Sequence, residues 1–206
     1  MSLETWIPFA LATLAFAFMP GPAILYMSAQ TLAYGHRAGL MAALGIHLGC
    51  YVHIAAASVG LAALLHHAPA LYSLVRTAGA LYMLWLGGRM IFPAGVEGKT
   101  EAPARQHRRV LRDSIVVEAL NPKTALFFLT FLPQFVDPQA AMPNWLQFLL
   151  LGIIVNGAFS LGDLASVGVA AFAAPRLSSS GSGAWVSKVS GGILVGLSAA
   201  IMGRFV

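Results

Sequence analysis

Apolar residues run along most of this chain in stretches too long for the alternation of a strand and too uniform for the one-sided stripe of a soluble helix. A helix needs roughly 20 predominantly apolar residues to cross a bilayer core of about 30 Å. Six segments reach that length, at about Thr5–Leu32, Ala38–Leu65, Ala70–Phe92, Asp113–Phe135, Trp145–Ala174 and Val186–Phe205. The pattern therefore predicts an all-α integral membrane protein with six transmembrane helices. Polar sequence interrupts it at length only once, in FPAGVEGKTEAPARQHRR (92–109), whose Pro, Gly and charge suit a linker. LSSSGSG (177–183) reads as a short flexible connection. The expected organisation is one transmembrane domain over 1–206, with halves at about 1–92 and 113–206 joined by a linker at 93–112.

Composition makes lipid the solvent. Charged residues are 9% of the chain against about 25% in soluble domains, and mean hydropathy is +0.78. The net charge of +5 does not imply a nucleic-acid partner, because the basic residues gather between 99 and 112. Arg37, that block, and Arg176 with Lys188 all fall at connections on one side. The positive-inside rule makes those connections cytoplasmic and places both termini in the periplasm. The N-terminus has no basic n-region and carries Glu4, so a retained first helix is expected rather than a cleaved signal. Cys50 is the chain's one cysteine and has no disulfide partner within it.

Two of the apolar spans contain helix breakers. Pro20-Gly21-Pro22 lies well inside the first, and Asn121-Pro122 inside the fourth. Proline removes a backbone donor, and carbonyls freed in lipid must find partners or line a wet cavity. Lys123 follows the second break, about 15 Å deep at 1.5 Å per residue, where a cation costs at least about 2.5 kcal/mol. It needs a partner. Asp163, at similar depth in the fifth span, is the first candidate; Glu118 lies about 140° round a continuous helix from Lys123. A static Lys123–Asp163 clip is the structural reading. The functional one is a midplane polar cavity in which Pro20, Gly21, Pro22, Asn121, Pro122 and Lys123 bind a small zwitterion, with Asp163 and Glu118 as coupling groups.

Three local matches relate the halves. Pro22-Ala-Ile-Leu aligns with Pro122-Lys-Thr-Ala, Ala57-Ser-Val-Gly with Ala165-Ser-Val-Gly, and Arg76-Thr-Ala-Gly with Lys188-Val-Ser-Gly. Three spans per half make the second half enter the membrane from the opposite side, giving a 3+3 inverted repeat with broken helices one and four.

The stretches PGPAILYMSAQTLAYGHRAGLMAALGIHLG, LNPKTALFFLTFLPQFVDP, GALYMLWLGGRM and VSGGILVGLSA resemble the lysine exporter and homoserine–threonine efflux (LysE/RhtB-type) family over nearly the whole chain. The resemblance implies a bacterial inner-membrane secondary transporter that exports amino acids or related metabolites by proton antiport. It also implies that Pro20, Gly21, Pro22, Asn121, Pro122 and Lys123 are the family's helix breaks, and that Asp163 is its fifth-span acidic position. The expected partners are an amino-acid-like substrate, protons and the lipid bilayer.

Other constellations were weighed against this reading. His47, Cys50 and His53 share a face of the second span, which raises a metal-ion exporter as one alternative. A non-transporting membrane scaffold is another. GxxxG pairs at Gly35/Gly39, Gly45/Gly49 and Gly192/Gly196 suit packing within one bundle and also admit a homodimer. His66-His67 reads as an interfacial pair. Ser58 and Ser166 have no His or Asp partner at matching depth, so an enzyme is not expected. No cofactor is implied, and no phosphate-binding glycine loop points to ATP.

Overall fold

Prolines set where the helices begin. The computed structural model describes residues 3–60, 69–92 and 103–178, together with positions 188, 191, 192, 195, 196, 198 and 199. Its helices are α1 (Leu3–Phe18), α2 (Pro22–Tyr34), α3 (His36–Ser58), α4 (Pro69–Ile91), α5 (Pro103–Ala119), α6 (Pro122–Leu126) and α7 (Asn144–Ser178). The helices α2, α4, α5 and α6 each start on a proline. There its fixed φ suits the helix and its missing N–H is not needed. A π turn at Phe127–Phe131 and a 3-10 turn at Leu132–Phe135 continue α6. Gly35, at φ +86°, makes the turn between α2 and α3 in a conformation that L side chains rarely adopt.

The protein is a multi-pass, all-helical membrane protein, with no strand among the described residues. Three stretches are long and apolar enough to cross a bilayer: His36–Ser58, His107–Phe135 and Asn144–Pro175. The pair α1 and α2, bent by 43° at Met19–Gly21, makes a fourth when taken as one broken span. The helix α4 lies where the third span was expected. Of the sixth, Val186–Phe205, only seven scattered positions are described, and each is helical. His66-His67, most of LSSSGSG and the linker up to 102 lie outside the described residues.

One boundary differs from expectation. The linker was expected to run to 112, yet α5 already starts at Pro103, so Arg108, Arg109 and Arg112 ride on helix. Arg109 pairs with Asp113 one turn on, at 3.7 Å, and Val110 is buried. Such i,i+4 pairs and a buried apolar face hold helix into a segment whose composition reads as loop.

The central helix is α3, packed against α2, α5 and α7. Gly45 and Gly49 let it approach α5 closely: an added Cβ would lie 2.6 Å from Leu111 O and 2.7 Å from Ile115 O respectively. This GxxxG pair is thus consumed inside the bundle. Gly162 does the same for α7 and α1, where a Cβ would meet Ala17 O at 2.6 Å.

Side chains form three tiers along the first span (α1 with α2), α3, the fourth span (α5 with α6) and α7. One apolar cluster holds Tyr26 and Met27 of α2, Ala42 and Ala43 of α3, Val117 of α5 and Val167 of α7. A second holds Phe9 of α1, Ile54 of α3, Phe127 and Leu132 of the fourth span and Val155 of α7. Between them in sequence, on each of these four stretches, lie residues that line a small cavity. Close packing makes the α3–α5 contact intolerant of bulk. Gly49→Val should cost about 1–3 kcal/mol, read as a lower unfolding midpoint in detergent. Gly157→Ala, with nothing within 4 Å of its added Cβ, should leave the midpoint unchanged.

Candidate functional site

Pro20 and Pro122 each leave the carbonyl four residues before them without its α-helical N–H, and each of these two carbonyls is engaged by a side chain from another helix in addition to a backbone bond of a tighter turn. Pro20 has no N–H for Phe16 O. That carbonyl keeps a long 3.3 Å bond from Met19 N and accepts also from Lys123 Nζ at 2.6 Å, and Lys123 donates as well to Met19 O, the last carbonyl before the break. The Phe16 ring lies 5.0 Å from the same ammonium. Pro122 has no N–H for Glu118 O. Glu118 O accepts from Asn121 N at 2.9 Å in a tightened last turn, and His53 Nε2 donates to it as well at 2.8 Å; because a carbonyl only accepts, the ring's proton sits on Nε2.

The second break is also capped locally. Asn121 Oδ1 accepts from Lys123 N at 3.0 Å, the usual N-cap bond of α6. Its Nδ2 donates to Glu118 Oε2 at 2.8 Å, and the Thr124 hydroxyl donates to the same carboxylate. Gly21, in extended backbone, is the N-cap of α2. It is held to glycine by proximity, since an added Cβ would sit 2.7 Å from Lys123 Cδ.

Two expectations are corrected here. Lys123 was expected to pair with Asp163, but no ion pair joins them within 4.0 Å among the described residues; the lysine is bound by backbone carbonyls. Glu118 was placed on the wrong side of the helix from Lys123. A helical wheel does not carry across Ala119–Asn121, where the helix stops, and Glu118 lines the cavity.

The cavity of about 20 Å³ is bounded on its polar side by Glu118, Asn121, Lys123, Thr124, Asn156 and Asp163. That is room for one or two waters and not for an amino acid, so the site is closed in this conformation. Asp163 is 5% exposed, and no described residue donates a hydrogen bond to it. It lies within electrostatic reach of both Glu118 and Lys123. Pro20 is exposed and stands outside the cavity, acting through the backbone; Pro22 and Pro122 are buried at the helix starts.

The polar layer also contains residues that sequence reasoning missed. Asn156 is 2% exposed and donates to His47 O at 3.1 Å. Ser160 donates its hydroxyl proton to Asn156 O, so His47 Nδ1, 2.7 Å from Ser160 Oγ, is the donor in that contact. The signal was available: Asn156 precedes Asp163 by seven residues, two turns along one face of an otherwise apolar run. For His53, counting four residues back from Pro122 would have found the carbonyl it holds.

His47 and His53 therefore turn to different helices and do not converge with Cys50. No group of three His, Cys, Asp or Glu able to hold a metal occurs among the described residues. Ser58 and Ser166 each bond the carbonyl four residues back on their own helix.

Comparison with known proteins follows the same line. The family model described as LysE type translocator matches residues 14–203. A leucine efflux protein of Klebsiella pneumoniae is 34% identical over 134 residues, 64% of this chain and 63% of that protein. The aligned region thus spans less than two thirds of that relative. A homoserine/homoserine lactone efflux protein of Salmonella typhimurium is 29% identical over 154 residues, 74% of each chain. An uncharacterized membrane protein of Vibrio cholerae is 30% identical over 154 residues, again 74% of each. No solved structure matches the chain.

Removing His53 leaves Glu118 O its bond from Asn121 N, so what is lost is one hydrogen bond, worth about 0.5–1.5 kcal/mol. His53→Phe should therefore lower stability by about that amount, read as unfolding midpoint in detergent, while His53→Gln, which keeps a side-chain N–H, should recover part of the loss. Lys123→Met removes hydrogen bonds to two carbonyls and should cost more than His53→Phe by the same assay.

Proposed function

The chain belongs to the LysE type translocator family, and from that membership together with the closed polar cavity we propose that it exports an amino acid or a closely related small metabolite across the bacterial inner membrane. The observation that carries this reading is Asp163, a buried carboxylate that faces the cavity and accepts no hydrogen bond from the described residues. A buried charge left in that condition is costly unless a ligand or proton completes it. The ammonium of a zwitterion is a fitting complement. Its carboxylate meets Lys123 and the start of α2 at Gly21–Ala23, where unpaired N–H groups and the helix dipole favour an anion.

The architecture of the proposal is six spans in a 3+3 inverted repeat, with both termini periplasmic. Two things support it: the helix starts Pro22 and Pro122 occupy matching places in the halves, and each break has its freed carbonyl capped from a distance. Transport is coupled to protons. Glu118 and Asp163 share one cavity with a single cation, and either takes up a proton when the substrate's ammonium leaves. The cavity must enlarge to admit substrate, so a second conformation is part of the cycle.

The test is transport in proteoliposomes loaded with a panel of labelled amino acids, with and without a pH gradient. Wild-type protein should release at least one of them faster under the gradient. Asp163→Asn should slow that release at least about tenfold, since a charge-assisted hydrogen bond is worth about 1.5–3 kcal/mol, and should flatten its dependence on pH. Full transport with unchanged pH dependence would remove Asp163 from coupling. A wild-type protein that moves none of the panel would remove the reading itself.

A further inference from the structure

The fourth span leaves α-helical register twice beyond the cavity. The turn Phe127–Phe131 is π and Leu132–Phe135 is 3-10. Pro133 accounts for the departure: it has no N–H for Leu129 O, and its ring crowds that carbonyl. The π turn is too wide and the 3-10 turn too tight, so the surplus and the deficit lie side by side. They can exchange while both ends of the segment stay in place. Such defects within helices recur at hinges and functional sites. Side chains patch the exposed backbone here, with Thr130 Oγ1 donating to Leu126 O at 2.8 Å and Gln134 Nε2 to Thr130 O at 2.7 Å.

The same segment carries three rings of an unbroken aromatic column. It starts at Phe159 on the cavity wall, whose centroid is 5.3 Å from Phe127. Phe127 stands 4.7 Å from Phe131, and Phe131 stands 4.8 Å from Phe135. The column continues through Phe9 at 5.1 Å to Trp6 at 5.4 Å. At Trp6 it reaches a larger apolar recess of about 270 Å³. Rewinding one π turn to α rotates the side chains beyond it by about 100°, which takes the rings out of the column. The opposite apolar tier sits on α2, α3, α5 and α7, all in regular register there.

Resting on the transport reading, we infer that Phe127, Phe131 and Phe135, carried on the paired π and 3-10 turns, form the gate that closes the polar cavity toward the Trp6 end of the bundle. Rewinding of this segment opens the cavity to the recess at Trp6, and the closed column is what keeps the site sealed.

Cys50 supplies a native reporter, because it is the chain's one cysteine, lines the cavity and is 1% exposed. A membrane-impermeant maleimide added to right-side-out or to inside-out vesicles should label it slowly in the wild type. Phe131→Ala removes two ring pairs and should speed Cys50 labelling about tenfold, from the membrane face on which Trp6 lies and not from the other. Phe131→Leu keeps apolar bulk and should give a smaller rise from the same face. An unchanged rate in both variants, or equal rises from both faces, would overturn the gate. Labelling requires no transported solute. A protein that moves no amino acid in liposomes therefore counts against the transport reading and leaves this readout intact.

Discussion

In hydrocarbon no water is available to repair a broken hydrogen-bond ladder, so every carbonyl that a proline frees must be met by protein. At Pro20 and Pro122 this chain meets that demand with a tightened backbone bond and a side chain from another helix. The ammonium of Lys123 closes the end of α1, and the imidazole of His53 closes the end of α5. The breaks and their caps therefore specify one another. Helices α1 and α6, more than one hundred residues apart in sequence, are tied by the bonds of Lys123 to carbonyls at the end of α1.

The polar layer follows from this. Capping engages the histidine, the Asn121 amide and two donors of the lysine, and it draws the Glu118 carboxylate inward through Asn121 and Thr124. Asp163 is the charged group lining the cavity that capping does not engage. Above and below, the chain builds two different apolar tiers: one of small residues with Tyr26 and Met27, the other dominated by phenylalanine. Small residues let helices approach as rigid backbones, as Gly45 and Gly49 do. Large rings fill space between helices that are held further apart, and a ring can swing where a backbone contact cannot.

Much of this was legible in the sequence, and the parts that were not have physical reasons. The apolar runs located α3, α4, α7 and the broken spans, because bilayer thickness fixes their length. Proline marked both breaks for the same stereochemical reason that it makes them. The Lys123 partner was misassigned because matching charges by depth weighs side chains alone, whereas the strongest acceptors at a helix break are main-chain oxygens. Glu118 was misplaced by extending a helical wheel over residues that are not helical. The early start of α5 was hidden by a composition that reads as loop, since its support comes from Val110 and the Arg109–Asp113 pair. Pro133 signalled a disturbance in LPQF, but a sequence does not say whether the preceding turn widens, tightens or kinks.

The carbonyl caps are the claim on which the account stands, and one distance tests it. Protein labelled with ¹⁵N at lysine Nζ and with ¹³C at phenylalanine carbonyls, reconstituted in lipid, reports their separation through solid-state NMR dipolar coupling. The account predicts a strong coupling between Lys123 and Phe16, matching an ammonium 2.6 Å from the carbonyl oxygen, and its loss in Lys123→Met. Absence of that coupling, with Lys123 Nζ coupled instead to the Asp163 carboxylate in aspartate-labelled protein, would contradict it.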